Sequence, residues 1–187
     1  MASKEHGERI GKLTALFHHR WTVPVLAEFH RRKGATKFVT LVNRLGGGRD
    51  SVRRALDALV ELGLVARNTG YGHPMRPEYL LTRAGALAAP ACARVWRALR
   101  AMESEDVGLN KWSLLVALAL KDGCSRFAEF RRYLPEVTPR ALTLALKSLG
   151  AAGWIEREIL DAYPPRTQYR LTLFGGRLWP GLRALAG

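Results

Sequence analysis

Arg49, Ser51, Arg53 and Arg54 are spaced to share one side of a helix whose other side is apolar, with Val52, Leu56, Leu59 and Val60. An arginine fork pairs bidentately with O6 and N7 of guanine, so two or three such side chains could read base edges in a major groove. A merely solvated basic face is the plainer alternative. Further along, a thinner version recurs as Arg140, Thr143 and Lys147, with Leu144 in the place of Arg54. Lys37 and Arg126 open the preceding helix at equivalent places, where a cation can meet a phosphate. His73 and Arg76, then Arg166 and with less reason Arg170, flank two expected hairpin tips that could reach a minor groove or phosphates. Arg67 and Arg157 read equally well as ordinary surface charges.

No arrangement points to catalysis. The sequence holds no Gly-x-Ser-x-Gly, no phosphate loop, no dinucleotide glycine fingerprint and no His-Glu-x-x-His, so an enzyme is not expected. Gly46-Gly47-Gly48 precedes a helix and could cradle an anion, but the Lys-Ser/Thr of a nucleotide loop does not follow. Cys92 and Cys124 stand alone, which speaks against structural zinc and for two buried thiols, a redox sensor being the alternative. His18-His19 reads as a surface pair. No cofactor or metal is expected.

The charge is strongly positive: 30 Lys+Arg against 16 Asp+Glu, a net +14. Codon bias can explain arginine over lysine; it does not explain that excess. Residues 1–102 carry 18 basic and 7 acidic side chains (+11), and residues 103–187 carry 12 and 9 (+3). A polyanionic partner, most simply double-stranded DNA, is implied, with the first half as the stronger anchor. No apolar run approaches a membrane span, and the first residues lack the apolar stretch of a signal peptide, so a cytoplasmic protein is expected.

These side chains need elements to position them, and the chain supplies the elements twice. Residues 20–99 and 111–185 run in parallel at an offset of about 90. Gly63-Leu-Val65 answers Gly153-Trp-Ile155, and Tyr79-Leu-Leu81-Thr82-x2-Gly85-x4-Pro90 answers Tyr169-Arg-Leu171-Thr172-x2-Gly175-x4-Pro180. Each copy predicts three helices, a hairpin and a closing helix. In the first, Thr22 is expected to cap a helix reaching Arg31. Helices near Lys37–Leu45 and Asp50–Leu62 follow, then strands Leu64–Asn68 and Pro77–Thr82. In the second, helices fall near Lys111–Lys121, Ser125–Leu134 and Pro139–Ala152, with strands Trp154–Leu160 and Thr167–Thr172. Thr138 before Pro139 is an N-cap followed by an N1 proline. A closing helix resumes after Gly85, kinked or delayed at Pro90, and Glu103–Leu109 is too short and too poor in glycine to be a loose tether. Two docked domains, 1–102 and 103–187, are expected.

The order of helices and hairpin is the winged helix-turn-helix plan, and the second copy resembles the HxlR family of bacterial regulators. The resemblance rests on Lys111-Trp112-Ser-Leu-Leu, Arg126-Phe127-x-Glu129-Phe130-Arg131-Arg132-x-Leu134-Pro135, Thr138-Pro139-x2-Leu142-Thr143 and Pro164-Pro165-Arg166-x2-Tyr169-x-Leu171-Thr172-x2-Gly175. The first copy is degenerate: it has Gly46-Gly47-Gly48-Arg49-Asp50-Ser51 before its third helix and two extra residues around Arg32-Lys33. The resemblance implies a mainly α fold with small β-hairpins (α+β) and a DNA-binding transcriptional regulator, more simply a repressor. Family members usually carry one unit per chain and pair on two half-sites. A fused pair would imitate that dimer within one chain as a pseudo-dimer with non-identical heads, and further dimerisation stays open. Trp96, Trp112 and Trp179 could line an effector pocket where the copies meet. The alternatives are a small-molecule-binding protein or enzyme built on the same scaffold, with its pocket between the copies, and a tandem module that binds other proteins.

Overall fold

The computed structural model describes residues 2–68, 78–161, 163 and 166–187. The first unit consists of α2 (Thr22–Arg31), β1 (Ala35–Lys37), α3 (Phe38–Leu45), α4 (Arg49–Glu61), β2 (Val65–Asn68), β3 (Glu78–Leu81) and α5 (Arg83–Ala101), and is preceded by α1 (Ala2–Leu16). The short α6 (Glu105–Gly108) leads to α7 (Ser113–Lys121), α8 (Phe127–Tyr133), α9 (Pro139–Ala151), β4 (Ile155–Leu160), β5 (Arg166–Leu171), a 3-10 turn at Gly175–Leu178 and α10 (Trp179–Ala186). The fold is mostly helical with two small antiparallel sheets, one ordered β1-β3-β2 and the other β4-β5.

The same bonds tie hairpin to helix in both units. After α4, Gly63 turns the chain at φ 67°, and after α9, Gly153 does so at 71°. That left-handed conformation suits glycine and stops a helix. Thr82 Oγ1 donates to Gly63 O at 2.6 Å and accepts from Gly85 N at 3.1 Å. Thr172 Oγ1 repeats this with Gly153 O at 2.7 Å and Gly175 N at 3.0 Å. A Cβ on Gly85 would collide with Leu64 O, and one on Gly175 with Trp154 O. Gly85 and Gly175 are therefore required by close backbone approach, and Gly63 and Gly153 by their left-handed turns.

The two cores merge into one. α5 lies along α2 and also against α10, where a Cβ on Gly181 would stand 2.6 Å from Val95 Cγ2. Trp154, fully buried, donates its indole N–H to Ser104 Oγ at 3.2 Å, in the segment joining the units. Arg20, just before α2, pairs with Asp106 on α6. The connector is thus a packed element.

Several details differ from the sequence expectation. Thr22 does not cap α2; its hydroxyl donates to the carbonyls of Leu16 and His19, fastening the turn after α1. Val60 is 36% exposed, and Ala55 takes its place on the buried side of α4 with Val52, Leu56 and Leu59. The closing helix is not delayed at Pro90: with Thr82 as its cap it starts at Arg83 and runs through the proline. Strand β1 pairs with β3 through Thr36 and Tyr79, partners too distant in sequence for local patterning to reveal. The second unit keeps one bond of this kind, Tyr169 N–H to Ser125 O at 2.8 Å.

Helix α1 lies before the residues that the repeat matches, so the repeat does not point to it. Its apolar residues Ile10, Leu13 and Leu16, with Phe17 just beyond, are each at most 5% exposed. It crosses to the second unit, packing on α10. Arg9 Nη2 donates to Asp122 Oδ2 at 2.7 Å and to Tyr133 Oη at 3.3 Å, while the His6 ring meets Tyr133 edge-on at 4.6 Å. Burial, then the adjacent Asp122 carboxylate, hold the Tyr133 phenol above its ordinary pKa.

Candidate nucleic-acid interface

Helix α4 buries Val52, Ala55, Leu56 and Leu59 completely, so its outer side is left to Arg49, Arg53 and Arg54, all exposed, and to the half-buried Ser51. The guanidinium carbon of Arg53 lies 4.3 Å from the ring centroid of Phe38, and that of Arg49 lies 5.2 Å from it. The ring face attracts both cations and restrains them. Arg54 donates a long 3.4 Å bond to Asp50 O. Lys37, immediately before Phe38, is exposed. Among the described residues none of these four cations is in an ion pair. Trp21 supports the loop ahead of α4: a Cβ on Gly47 would come within 2.7 Å of its ring, so this glycine serves packing.

Helix α9 has the same buried stripe, Leu142, Ala145, Leu146 and Leu149, and the expected cap, with Ala141 N–H donating to Thr138 Oγ1 at 3.2 Å. Its outer side carries Arg140, Thr143, Leu144 and Lys147, all exposed. The Thr143 hydroxyl donates back to Pro139 O at 2.9 Å. Arg126 is exposed at the start of α8, where the Glu129 carboxylate accepts from Ser125 N at 2.7 Å and Arg126 N at 2.9 Å. Those two backbone bonds hold Glu129 below its ordinary pKa. The first unit has Thr40 at this place and no such carboxylate.

Of the hairpin candidates, Arg166 is exposed at the first position of β5. Arg170 is engaged with Glu156 at 2.8 Å. His73 and Arg76 lie outside the described residues. The three tryptophans expected around an effector pocket are each half-buried. Lys111 Nζ lies 4.7 Å from the Trp112 ring centroid and Lys121 Nζ 5.8 Å from that of Trp179. None of the three lines either of two clefts that the sequence did not foreshadow. One, of about 500 Å³, opens between α8, α9 and the β4–β5 hairpin. The other, of about 370 Å³, is lined by Thr14, His18, His19, Glu61, Lys111 and Glu136 among others. Both need residues far apart in sequence, so no local signal could have found them. Burial, then His18 and Arg54, lower the pKa of His19.

Neither cysteine is poised for reaction. Burial pushes the Cys92 thiol up to about 12; burial and then Glu129 and Asp122 raise that of Cys124. Reactive thiols need surroundings that favour the thiolate. Among the described residues no group of three or more His, Cys, Asp and Glu side chains could hold a metal ion, and no helix is long and apolar enough to cross a membrane.

A model of the HxlR-like helix-turn-helix family matches residues 107–187, the span of α7–α10 with the end of α6. YkvN of Bacillus subtilis, described as an HTH-type transcriptional regulator, is 35% identical over 82 residues, which cover 44% of this chain and 70% of that protein. The chain belongs to the HxlR-like family. An HTH-type transcriptional regulator of Methanothermobacter thermautotrophicus is 45% identical over 86 residues, covering 44% of this chain and 66% of that one. Among solved structures, the redox regulator HypR in its oxidized form is 39% identical over 45% of this chain and 87% of its own, with a TM-score of 0.42. The chain spans 66%, 60% and 59% of the length of three of the HTH-type regulators it matches. The family match falls on the second unit, where the motif residues are the more complete.

Proposed function

We propose that this HxlR-like protein is a transcriptional regulator that binds double-stranded DNA with two fused winged-helix units, residues 1–102 and 103–187, acting as an intramolecular pseudo-dimer. The observation that carries it is the outer side of α4: three exposed arginines without ion pairs among the described residues, two of them held on Phe38, above a completely buried stripe. Asp50, Asp57 and Glu61 lie on the same helix, yet none of them holds these arginines in an ion pair among the described residues, so the guanidinium groups stay open to phosphate and base edges. Arg49, Ser51, Arg53 and Arg54 would enter the major groove, with Lys37 on a phosphate. Arg140, Thr143 and Lys147, flanked by Arg126 and Arg166, would form the second head. The first head dominates, because its cations gather in the opening half of α4. The outcome is repression, by occlusion of the site. Non-identical heads favour an asymmetric operator.

The test is selection from a random duplex library, with the winning duplex and a scrambled one then titrated at two salt concentrations. A regulator binds the selected duplex at least about 10³-fold tighter than the scramble. Equal and steeply salt-dependent binding of both would show that the charge supplies only nonspecific affinity, and would end this reading.

A further inference from the structure

Beside the third helix of the second head a cleft opens, and the residues at its edge differ from those at the matching places of the first head. In the first unit Arg49 and Arg53 lie over Phe38, which is 8% exposed, and Tyr79 is 3% exposed. In the second, Pro139 and Thr143 stand where the two arginines were, and Phe127 and Tyr169 are left half-buried. Gly150 and Ala151 replace Val60 and Glu61 along the same edge. Trimming these four side chains leaves the cleft of about 500 Å³, within the usual size of a small-molecule site.

The lining states the chemistry. Phe127 and Tyr169 offer ring surface, and Leu146 and Ile155 form an apolar base. Lys147 and Arg157 are the charged groups on its wall, and no carboxylate lines it among the described residues. Lys147 is in no ion pair among those residues, and Arg157 makes only a 3.5 Å bond to Thr167 Oγ1. Arg157 faces Tyr169 across the hairpin, so a cation and an aromatic ring stand side by side. A phosphodiester would use the cations but gain nothing from the apolar base.

We propose that this cleft binds a small aromatic carboxylate, its ring on Phe127 and Tyr169 and its carboxylate between Lys147 and Arg157. A ligand there covers Thr143 and Lys147, so, on the DNA-binding reading, it opposes engagement of the second head. The site itself does not rest on that reading and is tested without DNA. The probe is naphthalene-2-carboxylate, with the neutral naphthalene-2-carboxamide as control, titrated into the isotope-labelled full chain while backbone amide shifts are followed.

Saturable shifts at Gly150, Ala151 and Arg157 are expected, with the carboxylate bound at least about ten-fold tighter than the carboxamide. Lys147→Gln with Arg157→Gln should erase that difference. Thr143→Met and, separately, Gly150→Val add neutral bulk at the edge of the cleft, the second restoring the first unit's residue, and each should weaken the carboxylate at least about ten-fold. Thr143 is exposed and a Cβ on Gly150 meets nothing within 4 Å, so both variants are expected to keep the fold, which their amide spectra check. No saturation at millimolar probe, equal binding of acid and amide, or wild-type affinity in Thr143→Met would each overturn the proposal.

Discussion

Helices α4 and α9 match in burial at every position from 51–60 to 141–150, yet their outer sides have little in common. Val52, Ala55, Leu56 and Leu59 answer Leu142, Ala145, Leu146 and Leu149, whereas Arg53, Arg54 and Asp57 stand against Thr143, Leu144 and Lys147. The buried side is constrained by neighbours that are themselves repeated, so changing one residue leaves a cavity or a clash. The outer side meets only solvent or a ligand and can diverge without cost to the fold. The shared half of each helix therefore reports on architecture, and the differing half on what each unit engages.

That division gives a ranking of expected effects. Leu59→Ala and Leu149→Ala remove fully buried leucines at matched positions, and each should cost about 2–5 kcal/mol of stability in denaturant unfolding. Near-equal losses sharpen the comparison; a small loss in one unit breaks it. The outer sides should behave oppositely. Arg53→Ala with Arg54→Ala should weaken binding of the selected duplex by about 1–3 kcal/mol per lost base contact. Arg140→Ala should cost less in the same titration, and equal losses would contradict the proposed dominance of the first head.

Smaller effects return to the shared architecture. Thr82→Ala and Thr172→Ala each remove a hydroxyl that caps the following helical turn, and each should cost about 1 kcal/mol in thermal or denaturant unfolding. The smallest effect belongs to the second unit alone. Glu129 has its folded pKa below the ordinary value of 4.5, so its contribution is present above that value and is lost as pH falls through the lower, folded one. Glu129→Gln should therefore flatten the acid limb of the stability profile in that window. An unchanged limb would show that the cap on α8 adds nothing.

The sequence by itself determined the order of helices and hairpins, most of the buried stripes and the Thr138 cap, because these depend on neighbours within a turn or two. Gly63, Thr82 and Gly85 were legible for a related reason: their partners Gly153, Thr172 and Gly175 repeat both identity and spacing. The exposed arginines of α4 could be named, but not their seat on Phe38, which depends on how α3 meets α4. Only the tertiary structure decided the docking of α1 through Arg9 and Asp122, the pairing of β1 with β3, and the exposure of Val60. The cleft beside α9 belongs to the same class. Each of these joins residues distant along the chain, and whether such groups meet is set by packing that no local period records.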